Sequence, residues 1–127
     1  MSDKEIIERI NQAAFEVRRH LAPGFLESVY QKALMIELAN HGLNAEAYPK
    51  INVWYKDNIV GEFEGDILVE KRILLELKAV NNILPVHELQ LINYLHATGI
   101  EKGILINYGG ELFAFREKDK NYLPKTK

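Results

Sequence analysis

The sequence predicts an α/β protein in which a mixed central sheet is flanked by helices, and three observations carry that prediction. Helical periodicity fills the N-terminal third. Then comes a run of β-branched and aromatic segments with turn residues between them. A third helical pattern lies between that run and two further isoleucine- and phenylalanine-bearing strands. The order helix, helix, three strands, helix, two strands gives a meander entering a layered sheet.

Ser2 and Glu5 have capping-box spacing, and Ile6, Ile7, Ile10, Ala13, Ala14 and Val17 recur on one face, so the first helix is expected over Asp3–His20. Pro23-Gly24 ends it. A second helix is expected from Leu26 to His41, with Gly42 behind it. Its apolar arc takes in Leu26, Val29, Tyr30, Ala33, Leu34, Ile36 and Leu38, interrupted by Glu37 and bordered by Glu27. Ile51–Lys56 and Ile59–Val69 flank the turn residues Asp57-Asn58, a hairpin signal. Arg72–Val80 is the third strand. The third helix opens at Pro85 and closes at Thr98-Gly99. Strands over Lys102–Asn107 and Leu112–Arg116 complete the pattern, the second, third and fourth strands being placed at the sheet centre. Residues 1–116 are read as one domain and 117–127 as a polar, frayed C-terminal tail.

Composition narrows the chemistry. With 47% hydrophobic and 27% charged residues the balance is that of an ordinary globular domain, not of a disordered or membrane-embedded chain. The absence of cysteine excludes disulfides, thiolate catalysis and cysteine-ligated zinc. No N-terminal signal pattern and no apolar run near the roughly 18 residues of a membrane span are present, so the cytoplasm is the default location. A net charge of −2 argues against a broad basic surface for nucleic acid, leaving only local patches such as Arg18-Arg19-His20, Lys71-Arg72 and the C-terminal lysines. A homodimer or a partner protein is therefore expected to complete any binding surface. Phosphate-cradling glycine loops, Gly-x-Ser-x-Gly and His-Glu-x-x-His are all missing.

The stretch Gly65–Val80 holds the chemistry. Alternation puts Glu76 and Lys78 on one face with Leu74, and Ile73, Leu75 and Leu77 on the other. Both faces are apolar, so the carboxylate and ammonium need a pair, a hydrogen bond or a metal. Asp66 on the preceding strand decides which. A two-residue turn at Glu70-Lys71 puts Asp66 opposite Leu75, away from Glu76, whereas a three-residue turn puts it opposite Glu76. In that second register, oxygen ligands converge for Mg²⁺, Mn²⁺ or Ca²⁺ beside a lysine able to orient water. Plainer roles stand beside this one: a Glu76–Lys78 salt bridge, Glu27 as a first-turn acid favoured by the helix dipole, and Glu37 as a buried, paired acid. Gln90 and Tyr94 share a helix face, with His87 one turn earlier. None of the four histidines, His20, His41, His87 and His96, has metal-binding spacing, and Asn107 reads as a turn former.

Gly24-Phe25-Leu26-Glu27-Ser28-Val29-Tyr30 is similar to the Gly-x-x-Glu-x-x-Tyr signature of the GxxExxY proteins, a branch of the PD-(D/E)xK nuclease superfamily. The resemblance runs from the first helix to Arg116. Asp66, Glu76 and Lys78 fall on the Asp…Glu-x-Lys core, and Gln90 and Tyr94 on a Gln-x-x-x-Tyr motif. It implies a restriction-endonuclease-like α-β-β-β-α-β core and metal-dependent hydrolysis of phosphodiester bonds in nucleic acid, DNA being the expected substrate. It also implies Mg²⁺, or Mn²⁺ in its place, held by Asp66, Glu76 and the Leu77 carbonyl, with Glu27 completing the shell directly or through water. Lys78 would position the nucleophile, and Gln90 and Tyr94 would hold Lys78 or the substrate phosphate. The alternative is a non-catalytic nucleic-acid-binding or protein-interaction scaffold that retains the nuclease fold.

Overall fold

The structure, a computed structural model, describes residues 1–122. Helices α1 (Asp3–His20) and α2 (Glu27–Asn40) lead into β1 (Ala45–Ala47), β2 (Lys50–Tyr55), β3 (Asn58–Glu64), β4 (Ile67–Val69) and β5 (Ile73–Lys78). Helix α3 (Pro85–Thr98), β6 (Lys102–Asn107) and β7 (Ala114–Asp119) follow. The main sheet has five strands in the order β1-β4-β5-β6-β7, while β2 and β3 form a separate two-stranded sheet. β5 and β6 are parallel, joined through α3, and the other pairs of the main sheet are antiparallel. The mixed sheet flanked by helices is thus as expected, with β5 at its centre. No helix among the described residues is long and apolar enough to cross a membrane.

β5 is apolar on both faces because each face is covered. Ile73, Leu75 and Leu77 pack with Ile6, Ile10 and Val17 of α1 and with Tyr30, Leu34 and Leu38 of α2. Leu74 faces the other way, into a smaller core with Ile51, Leu91, Leu95 and Leu105. α1 begins as its capping box dictates, the Glu5 N–H donating to Ser2 Oγ at 3.2 Å.

Several boundaries differ from the sequence reading. The strand expected over Ile59–Val69 is two strands, broken at Gly65-Asp66, where the chain leaves the hairpin for the main sheet. β1 carries none of the β-branched residues that mark a strand and forms only by pairing Ala45–Ala47 with β4. The last strand starts at Ala114 rather than Leu112 and runs past Arg116 to Asp119. Residues 117–119, expected in the frayed tail, are therefore sheet, and the Lys118 ammonium lies 2.8 Å from Glu88 Oε2 of α3. The tail positions 123–127 lie outside the described residues.

The buried face of α2 is also rotated. Tyr30, Gln31, Leu34 and Leu38 are buried, whereas Leu26, Val29 and Ile36, expected inside, are exposed. Glu37 is not fully buried either; its side chain is 24% exposed and lies 4.0 Å from His41 Nδ1 rather than beside an Arg or Lys.

The end of β5 is held by β6. The Tyr108 N–H donates to the Lys78 carbonyl at 2.8 Å. Asn107 clasps Val80, its Oδ1 accepting from the Val80 N–H (3.0 Å) and its Nδ2 donating to the Val80 carbonyl (2.8 Å). Asn107 is a structural clasp, as its turn-forming reading implies. Gly109 makes this approach feasible, since a Cβ there would lie 2.3 Å from Ala79 C and Val80 N. Gly109→Ala is expected to lower stability by about 3 kcal/mol or more, read as a thermal or urea melt. An unchanged midpoint would show that the clasp can relax.

Candidate active site

The hairpin turn between β4 and β5 settles the register. Val69 pairs with Ile73 and Ile67 with Leu75, so three residues, Glu70-Lys71-Arg72, form the loop. Glu70 and Lys71 take left-handed φ of 53° and 57°, and the Arg72 N–H closes the turn on the Val69 carbonyl at 2.9 Å. One further step of the same register sets Asp66 opposite Glu76. The odd register that brings these two carboxylates together is the one present.

Each carboxylate accepts a main-chain hydrogen from the other's strand. The Leu77 N–H donates to Asp66 Oδ2 at 2.6 Å, and the Asp66 N–H donates to Glu76 Oε1 at 3.2 Å. Gly65 allows the close contact, because a Cβ at that position would stand 3.1 Å from Glu76 Oε1. Glu76 is only 5% exposed. Burial, and then the neighbouring Asp66 charge, push its carboxyl up to about 9 from the ordinary range. Asp66 is also raised, chiefly by burial, against the lowering effect of the Leu77 hydrogen bond. Without a cation the pair therefore shares a proton near neutral pH.

The Lys78 ammonium donates to Gln90 Oε1 of α3 at 2.8 Å, and Gln90 Nε2 donates to Tyr94 OH at 3.4 Å. This Gln90–Tyr94 relay, rather than a salt bridge with Glu76, orients the lysine. Burial, followed by the Glu76 charge, raises the Tyr94 hydroxyl.

Glu27 opens α2 and is exposed, and its charge reaches Asp66 and raises it. Among the described residues no three acids or histidines close into a metal-holding group. Asp66 and Glu76 adjoin, while Glu27 stands back at the rim. His87 caps α3, its Nδ1 accepting from the Leu84 N–H at 2.9 Å, and it lies near the site: burial and then the Lys78 charge lower its imidazole, while the Glu27 charge raises it.

The loop ahead of Glu27 is pinned by the tyrosine of its own motif. Tyr30 OH donates to the Ala22 carbonyl (2.6 Å) and accepts from the Phe25 N–H (3.2 Å). Its ring stacks on Tyr108 at 4.8 Å. Gly24 between them takes φ +122°, a conformation side chains resist. Glycine and tyrosine thus fix where the helix, and Glu27 with it, begins.

Two residues near the acids escaped the sequence reading. Gln31, 3% exposed, sits one turn beyond Glu27; its Nε2 donates to the Asp66 carbonyl at 3.4 Å. Tyr48 donates its hydroxyl to Gln31 Oε1 at 3.2 Å and its N–H to the Asp66 carbonyl at 2.9 Å. A glutamine inside an otherwise apolar arc, four residues after Glu27, was the available signal. The arginines of the local basic patches make internal contacts. Arg18 donates to the carbonyls of Tyr108, Gly110 and Glu111, Arg19 pairs with Glu16, and Arg72 contacts Asp3 and the Met1 carbonyl.

Comparison with known proteins identifies the family and the fold. A family model described as the PD-(D/E)XK nuclease superfamily matches residues 4–118. Among solved structures, the crystal structure of SSO0001 superposes with a TM-score of 0.61 at 23% identity, covering 73% of this chain and 49% of that one. This chain therefore spans about half the length of that protein, and the likeness concerns the fold alone. No curated protein matches the sequence significantly.

Proposed function

Since this chain belongs to the PD-(D/E)XK nuclease superfamily, we propose that it hydrolyses phosphodiester bonds of nucleic acid, DNA in the first instance, with a divalent cation at Asp66 and Glu76. The observation that carries this reading is the register of β4 on β5. It sets two desolvated carboxylates side by side, two residues from a lysine braced by Gln90. The Gly24-x-x-Glu27-x-x-Tyr30 turn, held by its own glycine and tyrosine, supports assignment to the GxxExxY branch.

The donor set fits a hard cation. Asp66 and Glu76 offer only oxygen, no cysteine exists in the chain, and His87 is engaged in capping α3. A buried and a half-buried acid, both with raised carboxyls, also lack positive charge, which Mg²⁺ or Mn²⁺ would provide. Asp66, Glu76 and the Leu77 carbonyl would hold the ion, with Glu27 reaching it through water from the rim. When bound, the cation supplies charge stabilisation at the phosphate and a more acidic water.

The remaining roles fall to the chain's own groups. The Lys78 ammonium, aimed by Gln90, hydrogen-bonds and orients the attacking water, and offsets negative charge growing on the phosphate. Tyr94 keeps the Gln90 amide in place, or donates its raised, protonated hydroxyl to a phosphate oxygen. Gln31 and Tyr48 fix the Asp66 main chain and so the direction of its carboxylate.

The alternative is a non-catalytic nucleic-acid-binding or protein-interaction scaffold that retains the fold. Titration of Mg²⁺ and Mn²⁺ against single- and double-stranded DNA decides between them. Cleavage that rises with metal in the wild type and is absent in a folded Asp66→Ala variant is expected. A wild type inert with both metals on both substrates selects the scaffold.

A further inference from the structure

Next to Lys78 the surface opens into a cleft of about 840 Å³ between the β2–β3 hairpin and α3. Trp54 and Phe63 form its hairpin wall; Val86, Leu89 and Tyr94 form its α3 wall; Gln90, which holds the lysine, stands at its edge. The cleft is continuous with the candidate active site through Gln90 and Tyr94. Trp54 is 59% exposed and Phe63 46%, so neither ring is needed to fill the core. The hairpin is anchored instead by Ile51, which is buried against Leu74, Leu91 and Leu95.

The hairpin is shaped to present these rings. Successive strand residues face opposite ways, yet Val53 and Trp54 both line the cleft. The register shift between Val53↔Gly61 and Trp54↔Ile59 leaves Val60 of β3 unpaired, a bulge directly across from Trp54 that breaks the regular alternation. Phe63 lies 5.8 Å from the Tyr94 ring, tilted by 38°, so the aromatic surface runs from the hairpin towards the lysine.

Charge then selects the occupant. A duplex buries its base faces and is gripped mainly through phosphates, with roughly six to ten contacts in a salt-sensitive binder. This chain has net charge −2, and Arg18, Arg19 and Arg72 are already in internal contacts. An unpaired strand exposes base faces, each of which adds about 1–3 kcal/mol when stacked on an aromatic ring.

Resting on the nuclease reading above, we propose that the Trp54–Phe63 cleft is a stacking platform for unpaired bases, so that the substrate is a single strand or a frayed end rather than intact duplex. The strand's bases lie on Trp54 and Phe63 while its backbone passes Gln90 and Lys78. Recognition is by base faces, with little sequence readout.

Trp54 is the only tryptophan, so its fluorescence reports occupancy directly. Wild-type protein in EDTA is titrated with a short oligothymidylate, an oligouridylate and a DNA duplex of similar length. Quenching of Trp54 by the single strands is expected, with the duplex binding about tenfold more weakly or worse. Either sugar supports the platform, and the preferred one names the substrate. Trp54→Ala and Phe63→Ala, followed by anisotropy of a labelled strand, should each weaken binding about tenfold with unchanged melts. Duplex binding as tight as single-strand binding, no quenching, or affinities untouched by both substitutions overturns the proposal. So does a concentration-dependent dimer, seen by sedimentation, that Trp54→Ala dissociates, because the cleft then holds a second copy. Single-strand binding without cleavage in Mg²⁺ rejects the nuclease reading and leaves the platform standing. Mg²⁺-dependent cleavage indifferent to Trp54→Ala does the reverse.

Discussion

Replacing Lys78 by methionine is expected to reduce Mg²⁺-dependent cleavage by roughly 10²–10⁴-fold while the protein stays folded. Methionine keeps most of the lysine stem's packing and removes the ammonium, leaving the attacking water and the phosphate without their cationic partner. The competing role makes the opposite forecast. As the counter-ion of Glu76, Lys78 would strand a buried carboxylate on removal, at about 3–5 kcal/mol. Two features favour the first outcome: the ammonium is directed at Gln90 Oε1, and Glu76 is held up near 9, so it is mostly protonated in the metal-free protein. The measurements are a melt in EDTA beside a cleavage assay in Mg²⁺. A strongly lowered melting temperature with cleavage per folded molecule intact would reject the catalytic role.

Glu76→Gln should separate stability from activity even more sharply. The Glu76 carboxyl is raised from 4.5 to about 9 by burial and by Asp66. A raised acid in the folded state contributes stability that is complete below its unfolded value and is lost as pH climbs to its folded value. Metal-free wild type should therefore melt progressively lower between about pH 5 and pH 9, with Asp66 adding the same trend at the acid end. Glutamine keeps the acceptor for the Asp66 N–H and presents an amide donor to the Asp66 carboxylate, as the protonated acid does. At pH 9 in EDTA the variant should be roughly 3–5 kcal/mol more stable than wild type, with a nearly flat profile over that window. Added Mg²⁺ should raise the wild-type melt and leave the variant's unmoved, and the variant should not cleave. Parallel pH profiles for the two proteins would show that Glu76 does not carry the proton.

Much of this was legible because local chemistry and fold agree. The Ser2–Glu5 box and the run from Ile6 to Val17 define α1 without outside help. Pro85 and Gly99 bound α3 because one lacks a donor the helix does not need there and the other takes φ +75° behind it. β5 announces itself as a central strand through apolar residues on both faces, and its alternation alone puts Glu76 and Lys78 together. Gln90 and Tyr94 share a face by helical spacing, and the structure brings Gln90 to the lysine.

What remained depended on contacts distant in sequence. Glu-Lys-Arg contains no glycine or asparagine, yet Glu70 and Lys71 adopt positive φ; pairing of β4 with β5 inside a covered sheet outweighs the local preference. That single choice of loop length decides whether Asp66 meets Glu76 or points away. Helix α2 mixes polar and apolar residues around its circumference, so periodicity could not say that Tyr30 and Gln31 face inward while Leu26 and Ile36 face out. β1 exists only because the edge of β4 is free to pair with it. The order of residues states which groups carry charge and which strand or helix each belongs to. Which of those charges come to share a desolvated spot follows from register and burial, and these are properties of the assembled sheet rather than of any segment within it.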